Sequence, residues 1–417
     1  MTRSPLTPRG PLHRTNAVLL ALLLPLALLT VVGLVLLRPD GSAPTPYTVD
    51  QAEYPTASVT AVTTESCAGT NENRLPDGSI PESVQCTRVT AVLTGSDRAG
   101  TEVKVWTPGT VVAEDVPVGT DLVLVHYPAV GTDTEVFGWY DYDRGSPLAV
   151  LAVAFAGAVV LVAGLRGLRA LAGLAIAFGV IGAWILPAVI QGRDAPLVGL
   201  VGSAAIMFVV LPLAHGFTHR TTTALLGTLA GLAVTGALGA AAASAAHLTG
   251  ISTEQSYQLT LVLDGQDGRT LSGIFVCGVV LAGLGVLNDV TITQASALWE
   301  LRAADPTASR RQLFAGGMRI GRDHIASTVY TIAFAYTGAA LPVLLLVQVY
   351  RFPLLQTLTS GEFAEEIART AVSSIGLALA IPITTAIGAV VVTSIPAQRL
   401  RGGRHSATVA PAHSHGA

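Results

Sequence analysis

Charge is what this chain has least of. Only 12% of its 417 residues are Asp, Glu, Lys or Arg, against about 25% in a soluble globular protein. Lysine is almost missing: Lys104 is the only one, and basic charge rests on arginine. The net charge of −3 leaves no global basic field, so nucleic acid is not an expected partner. Cysteine is scarce too, with three residues and no CxxC or Cys/His ligand spacing, which excludes a structural zinc site. No Walker motif is present, so the chain is not itself a P-loop ATPase. There is no GxSxG and no HExxH, and the histidines among the apolar runs (His215, His219, His247, His324) are scattered. His215 and His219 stand one turn apart, but at a helix end, where they complement the helix dipole. The expectation is a protein that is not an enzyme and has no cofactor and no bound metal.

What the chain has is apolar length. Hydrophobic residues make up 51% of it and the mean hydropathy is +0.58. Runs of about 18 or more apolar residues mark transmembrane helices. They fall at 17–37, 147–165, 169–190, 196–216, 222–248, 271–294, 325–349 and 369–395, eight in all. The first run is longer than a signal-peptide core and stops at Arg38, Pro39 and Asp40 without a small-residue cleavage site, so it reads as an uncleaved anchor. Arg166, Arg169, Arg220, the arginines of 302–322 and those of 399–404 lie on one side of an eight-span alternation. The opposite short loops carry only Arg193, Arg269 and Arg351. The positive-inside rule then places both termini in the cytoplasm. The expected fold is a polytopic α-helical membrane protein, with a cytoplasmic arm at 1–16, a seven-helix membrane domain at 147–395 and a disordered cytoplasmic tail at 396–417.

Between the first two spans the composition changes. Residues 39–145 contain ASVTAVTTE, SVQCTRVTAVLTG, TEVKVW, DLVLVHY and EVFGWY, which alternate at period two between turn residues. That pattern reads as a small β-rich domain outside the membrane. Cys67 and Cys86 flank its longest loop. In an oxidising compartment they form a disulfide, the alternative being two free thiols. Asp77, Glu82, Asp133 and Glu135 are carboxylates without an EF-hand pattern.

The most unusual stretch is 271–300, LSGIFVCGVVLAGLGVLNDVTITQASALWE. Inside an apolar run it places Asn288, Asp289, Thr291, Thr293 and Gln294, followed by Glu300. At 100° per residue, Asp289, Thr293, Ser296 and Glu300 share one helix face. A carboxylate exposed to hydrocarbon costs at least ~2.5 kcal/mol. Two readings follow. Either Asp289 turns inward as part of a polar site, or the span ends near Leu287 and Asp289 is a wet carboxylate. Arg322, Asp323 and His324 likewise form an interfacial anchor and cap, or a proton relay from His324 to Asp289 or Glu300.

Four further segments carry expectations. Gly227, Gly231, Thr235, Gly239 and Ala243 make a small-residue seam for a neighbouring helix or for a homo-oligomer. Pro187, Pro212, Pro342 and Pro382 lie in or near spans, where proline kinks a helix. Asp305-Pro306 starts, and Gly316-Gly317 stops, a short surface helix. Asp264 to Gly268 form a turn, and His405, His413 and His415 lie in the tail.

LSGIFVCGVVLAGLGVLNDVTITQASALWEL and FAGGMRIGRDHIASTVYTIAFAYTGAALPVLLL resemble the YibE/F family of bacterial membrane proteins, as does YDYDRGSPLAVLAVAFAGAVVLVAGLRGLRALAGL. The resemblance covers roughly 120–395 and implies a multi-pass plasma-membrane protein without supplying an activity. Two functions compete. One is a secondary transporter of an unknown solute or ion, using a polar site on the helix of Asp289. The other is an accessory protein whose outer β-domain binds an envelope partner. Beyond these, the lipid bilayer is the only partner expected.

Overall fold

A computed structural model describes residues 11–41, 52–75, 77–95, 97–128, 135–252, 256–259, 268–351 and 353–396. The chain divides into two units, Thr45–Ala158 and Met1–Pro44 with Val159–Ala417.

In the first unit, β1 (Thr56–Cys67), β2 (Val84–Leu93), β3 (Glu102–Trp106), β4 (Asp121–Tyr127) and β5 (Val136–Tyr142) form one antiparallel sheet, in the order β3-β2-β1-β4-β5. Period-two alternation builds its core: Val89, Ala91 and Leu93 of β2 point inward with Ala57, Val59, Val103, Val105, Leu122 and Leu124. A bulge between Val59 and Ala61 bends β1. The edge strands β3 and β5 approach each other, so the sheet curls. At the far end of the β1–β2 hairpin Cys67 and Cys86 are disulfide-bonded, with Cα atoms 6.0 Å apart. Helix α2 (Gly145–Ala163) follows, and the division between the units falls inside it.

The second unit is helical. It contains α1 (Pro11–Leu36), α3 (Leu165–Val180), α4 (Leu186–Ile190), α5 (Ala195–His215), α6 (His219–Ala245), α7 (Gly268–Ala304), α8 (Arg310–Ala339), α9 (Leu341–Tyr350), α10 (Leu354–Leu358) and α11 (Gly361–Thr393). Caps start several of them. Asp194 accepts from Leu197 N at α5, Thr218 from Thr221 N at α6, and Ser309 with Gln312 forms a capping box at α8. Among the described residues seven helices are long and apolar enough to cross a membrane, or eight if α8 and α9, bent by 64° at their junction, count as one span. The centre of the unit is α6, α7 and α11, with α5 and α8 packed around them.

Several expectations change here. The helix expected to end at Gly316-Gly317 starts at Arg310 and runs through both glycines to Ala339. These glycines do not stop a helix; they allow contact. A methyl group on Gly317 would come within 2.9 Å of Leu298 and Thr385 side chains. The span expected at 325–349 is not continuous but breaks at Ala340, one residue before α9, whose second residue is Pro342. Pro187 follows a π-helical turn at Ile181–Ile185, while Pro212 and Pro382 lie inside α5 and α11. The seam on α6 is used within the chain. Gly227 and Gly231 pack on α11, Gly231 also on α7, and Gly239 on α7, so an oligomer contact through these glycines is corrected to an intrachain one. Asp133, the turn at 264–267 and the tail with His405, His413 and His415 lie outside the described residues, while Gly268 opens α7.

Candidate functional site

The buried face of α7 is polar. Thr291 is fully buried and Gln294 is 3% exposed. Thr291 Oγ1 lies 2.6 Å from Thr228 Oγ1 of α6. Gln294 Nε2 donates to Gly317 O of α8 at 2.8 Å and to Thr385 Oγ1 of α11 at 2.7 Å. One amide thus ties three helices together. Side-chain hydrogen bonds between membrane helices contribute ~0.6 kcal/mol on average and at most ~1.7. Asn288 Oδ1 is buried beside them without a hydrogen-bond partner.

Asp289 is placed elsewhere. Leu284, Leu287, Thr291, Gln294 and Leu298 are buried and define the packed arc of α7. At 100° per residue Asp289 falls roughly opposite that arc. Asp289, Thr293 and Glu300 are exposed and Ser296 is half-buried. They do share one face, but it is turned away from the packed helices, which corrects the expectation that Asp289 faces inward. Arg322 and Asp323 are exposed on α8. His324 is half-buried with Nε2 unpartnered, and no hydrogen bond joins it to Asp289.

A second polar region was not anticipated. At the bend between α8 and α9 a cavity of about 230 Å³ is lined by Ala340, Ser252, Tyr336 and the first turns of α11. Those turns supply Glu362, Glu365, Glu366 and Arg369. Glu365 is 8% exposed and accepts from Gly250 N at 2.9 Å and Ser252 Oγ at 2.6 Å. Arg369 Nε stands 3.4 Å from Glu366 Oε2, and its guanidinium lies over the Phe275 ring at 5.4 Å. Three carboxylates face one guanidinium, so the cavity is acidic. The signal was present in GEFAEEIART: Glu362, Glu365, Glu366 and Arg369 recur at helical spacing just before an apolar run.

In the sheet unit two of the four candidate carboxylates, Asp77 and Glu135, are engaged, and Glu82 is exposed. Asp77 accepts from Ser79 N and Oγ. Glu135 pairs with Arg98 and lies 3.3 Å from Nε2 of the buried His126, whose Nδ1 is 2.9 Å from Glu53. The Arg98 guanidinium holds the Glu135 carboxyl below the usual carboxylate range. Among the described residues no group of His, Cys, Asp and Glu side chains could hold a metal ion.

Long apolar helices, some joined by side-chain hydrogen bonds, define a polytopic integral membrane protein. The YibE/F-like family model matches residues 151–394, more than half the chain, and the protein belongs to that family. Neither the curated proteins nor the solved structures include a match.

Proposed function

We propose that this protein is a secondary transporter of the bacterial plasma membrane, with both termini cytoplasmic and the sheet unit outside. One observation carries the reading: the span α8–α9 breaks over an acidic cavity. In secondary transporters discontinuous helices leave backbone groups free at the site where ions and substrate bind. The excess of carboxylates favours a cation or a proton. The transport site therefore moves from Asp289 to the mouth of α11, while Thr291 and Gln294 tie α7 to α6, α8 and α11.

Flux of labelled cations and solutes into proteoliposomes, with and without a pH gradient, tests this. Glu366→Gln keeps shape and removes charge, so it should abolish coupled flux at normal expression and stability. Wild-type flux in Glu366→Gln would sink the proposal. The accessory reading keeps one observation in its favour, a groove of about 300 Å³ beside the disulfide that includes Trp106, Thr107 and Pro108.

A further inference from the structure

Helices α6 and α11 meet in a way that repeats itself. A methyl group on Gly227 of α6 would stand 2.1 Å from Thr384 Oγ1 of α11, and one on Gly376 of α11 would stand 2.1 Å from Thr235 Oγ1 of α6. Midway between these contacts Gly231 faces Ala380. At one end Gly388 faces Thr223. The helices are therefore antiparallel in one unbroken register, and exchanging them turns the Gly227–Thr384 contact into the Gly376–Thr235 contact; the image of Gly388–Thr223 is Gly239–Val372, where Gly239 packs on α7. The local two-fold axis passes through the Gly231–Ala380 crossing.

The amino acids repeat in the same frame. With Gly227 laid over Gly376, Arg220-Thr221 falls on Arg369-Thr370, Thr235 on Thr384, Ala237 on Ala386, and Gly239-Ala240 on Gly388-Ala389. Contact register and residue identity are independent observations, and both select one superposition. A glycine-rich composition alone does not require the arginine or the threonines to coincide.

We propose that α6 and α11 are inverted copies of one segment, and that they rock about Gly231–Ala380 so that their two ends open in turn. Inverted repeats meeting in mid-membrane are the parts that rock in alternating-access proteins. Such rocking implies a partner state in which the copies exchange conformations. The asymmetry is visible. Thr384 Oγ1 donates to Ala380 O at 2.7 Å, whereas its counterpart Thr235 has a fully buried Oγ1 with no partner. In the exchanged state Thr235 donates to Gly231 O and Thr384 is released. The crossing suits a pivot, since nothing larger than a methyl group stands between the backbones there, with Leu287 of α7 seated against it. What the motion serves rests on the transporter reading; the motion itself does not.

The test uses the full chain with Cys277→Ala, leaving Cys67–Cys86 in place. Thr223→Cys with Gly388→Cys reports one end of the pair. Gly239→Cys with Val372→Cys, opposite each other by the register, reports the other. Each pair should cross-link under mild oxidation, and a chain carrying both should form one link or the other but not both. Both links in the same molecule, or one end that never links, would overturn the proposal. If the four-cysteine chain fails to fold, spin labels on each two-cysteine chain should give a short and a long distance at both ends, and a single short distance at both ends would overturn the proposal. Thr384→Ala should shift the linked fractions of the two ends in opposite directions by about threefold, the size of an average intramembrane hydrogen bond. Unchanged fractions would again overturn it. Exclusive links without flux would remove transport and keep the rocking pair, whereas flux with simultaneous links would do the reverse.

Discussion

Gly227→Ala offers the sharpest test of how the helical unit is held together. The added methyl would lie 2.1 Å from Thr384 Oγ1 and 3.0 Å from Thr384 Cβ. Carbon and oxygen need well over 3 Å, so the backbones must part by about an ångström or Thr384 must rotate. Rotation breaks its bond to Ala380 O. Overpacking of this kind costs ~1–3 kcal/mol. Opposing it, alanine is favoured over glycine within a helix by ~1 kcal/mol. The clash should win, with a net loss of up to about 2 kcal/mol from those two magnitudes. Thr384→Ala removes the obstructing hydroxyl, so the double variant should return to wild-type stability or exceed it. A double-mutant cycle of unfolding in mixed micelles measures the coupling. Gly285→Ala is the control, because nothing lies within 4 Å of its added methyl group. The reasoning fails if Gly227→Ala unfolds no more easily than Gly285→Ala, or if Thr384→Ala does not rescue it.

Three further outcomes are expected. The Cys67–Cys86 bond closes a separation of 19 residues, so Cys67→Ser with Cys86→Ser should cost the sheet unit about 3 kcal/mol in the chain-entropy account. Proteolysis of the full chain with increasing urea should then cut the β1–β2 hairpin earlier. Glu135 has its pKa lowered, first by the hydrogen bond from Arg98 and then by that guanidinium's charge and by His126. A depressed carboxylate pKa contributes stability that is complete above the ordinary value of 4.5 and is lost as pH falls through the lower folded value. Arg98→Gln should flatten this acid-side loss in thermal melts; an unchanged pH profile counts against the pair. Asp289→Asn, on the exposed face of α7, should retain expression, fold and any flux, and loss of flux at wild-type stability would return the site to Asp289.

The spans were legible because hydrocarbon imposes a length: an apolar run such as 196–216 has few alternatives to a crossing helix, and α5 is found at Ala195–His215. The strands were legible because Val89, Ala91 and Leu93 alternate with residues that face outward. Direction around a helix was harder. Helix α7 is polar on two faces, one bearing Asp289 and Thr293 and the other Thr291 and Gln294. Charge drew attention to the first, although Leu284, Leu287 and Leu298 already marked the second as the packed one. Glycine misled in a related way at Gly316-Gly317. In water an exposed glycine pair weakens a helix, but against Leu298 and Thr385 its missing side chains are what bring α8 close.

The repeat shared by α6 and α11 was written in the sequence throughout, yet a match between two Ala- and Gly-rich segments carries little weight by itself. It gains meaning only from contact. Gly227 and Gly376 have to stay small because each lies against the threonine of the other copy, and those threonines have to stay because each fills the space that the opposite glycine leaves. One constraint thus acts twice, once in each orientation, through the same pair of helices. Two unrelated helices packed by chance would not need glycine and threonine at matching positions on both sides of a crossing. An inverted pair does, because every change at one end must be tolerated at its image.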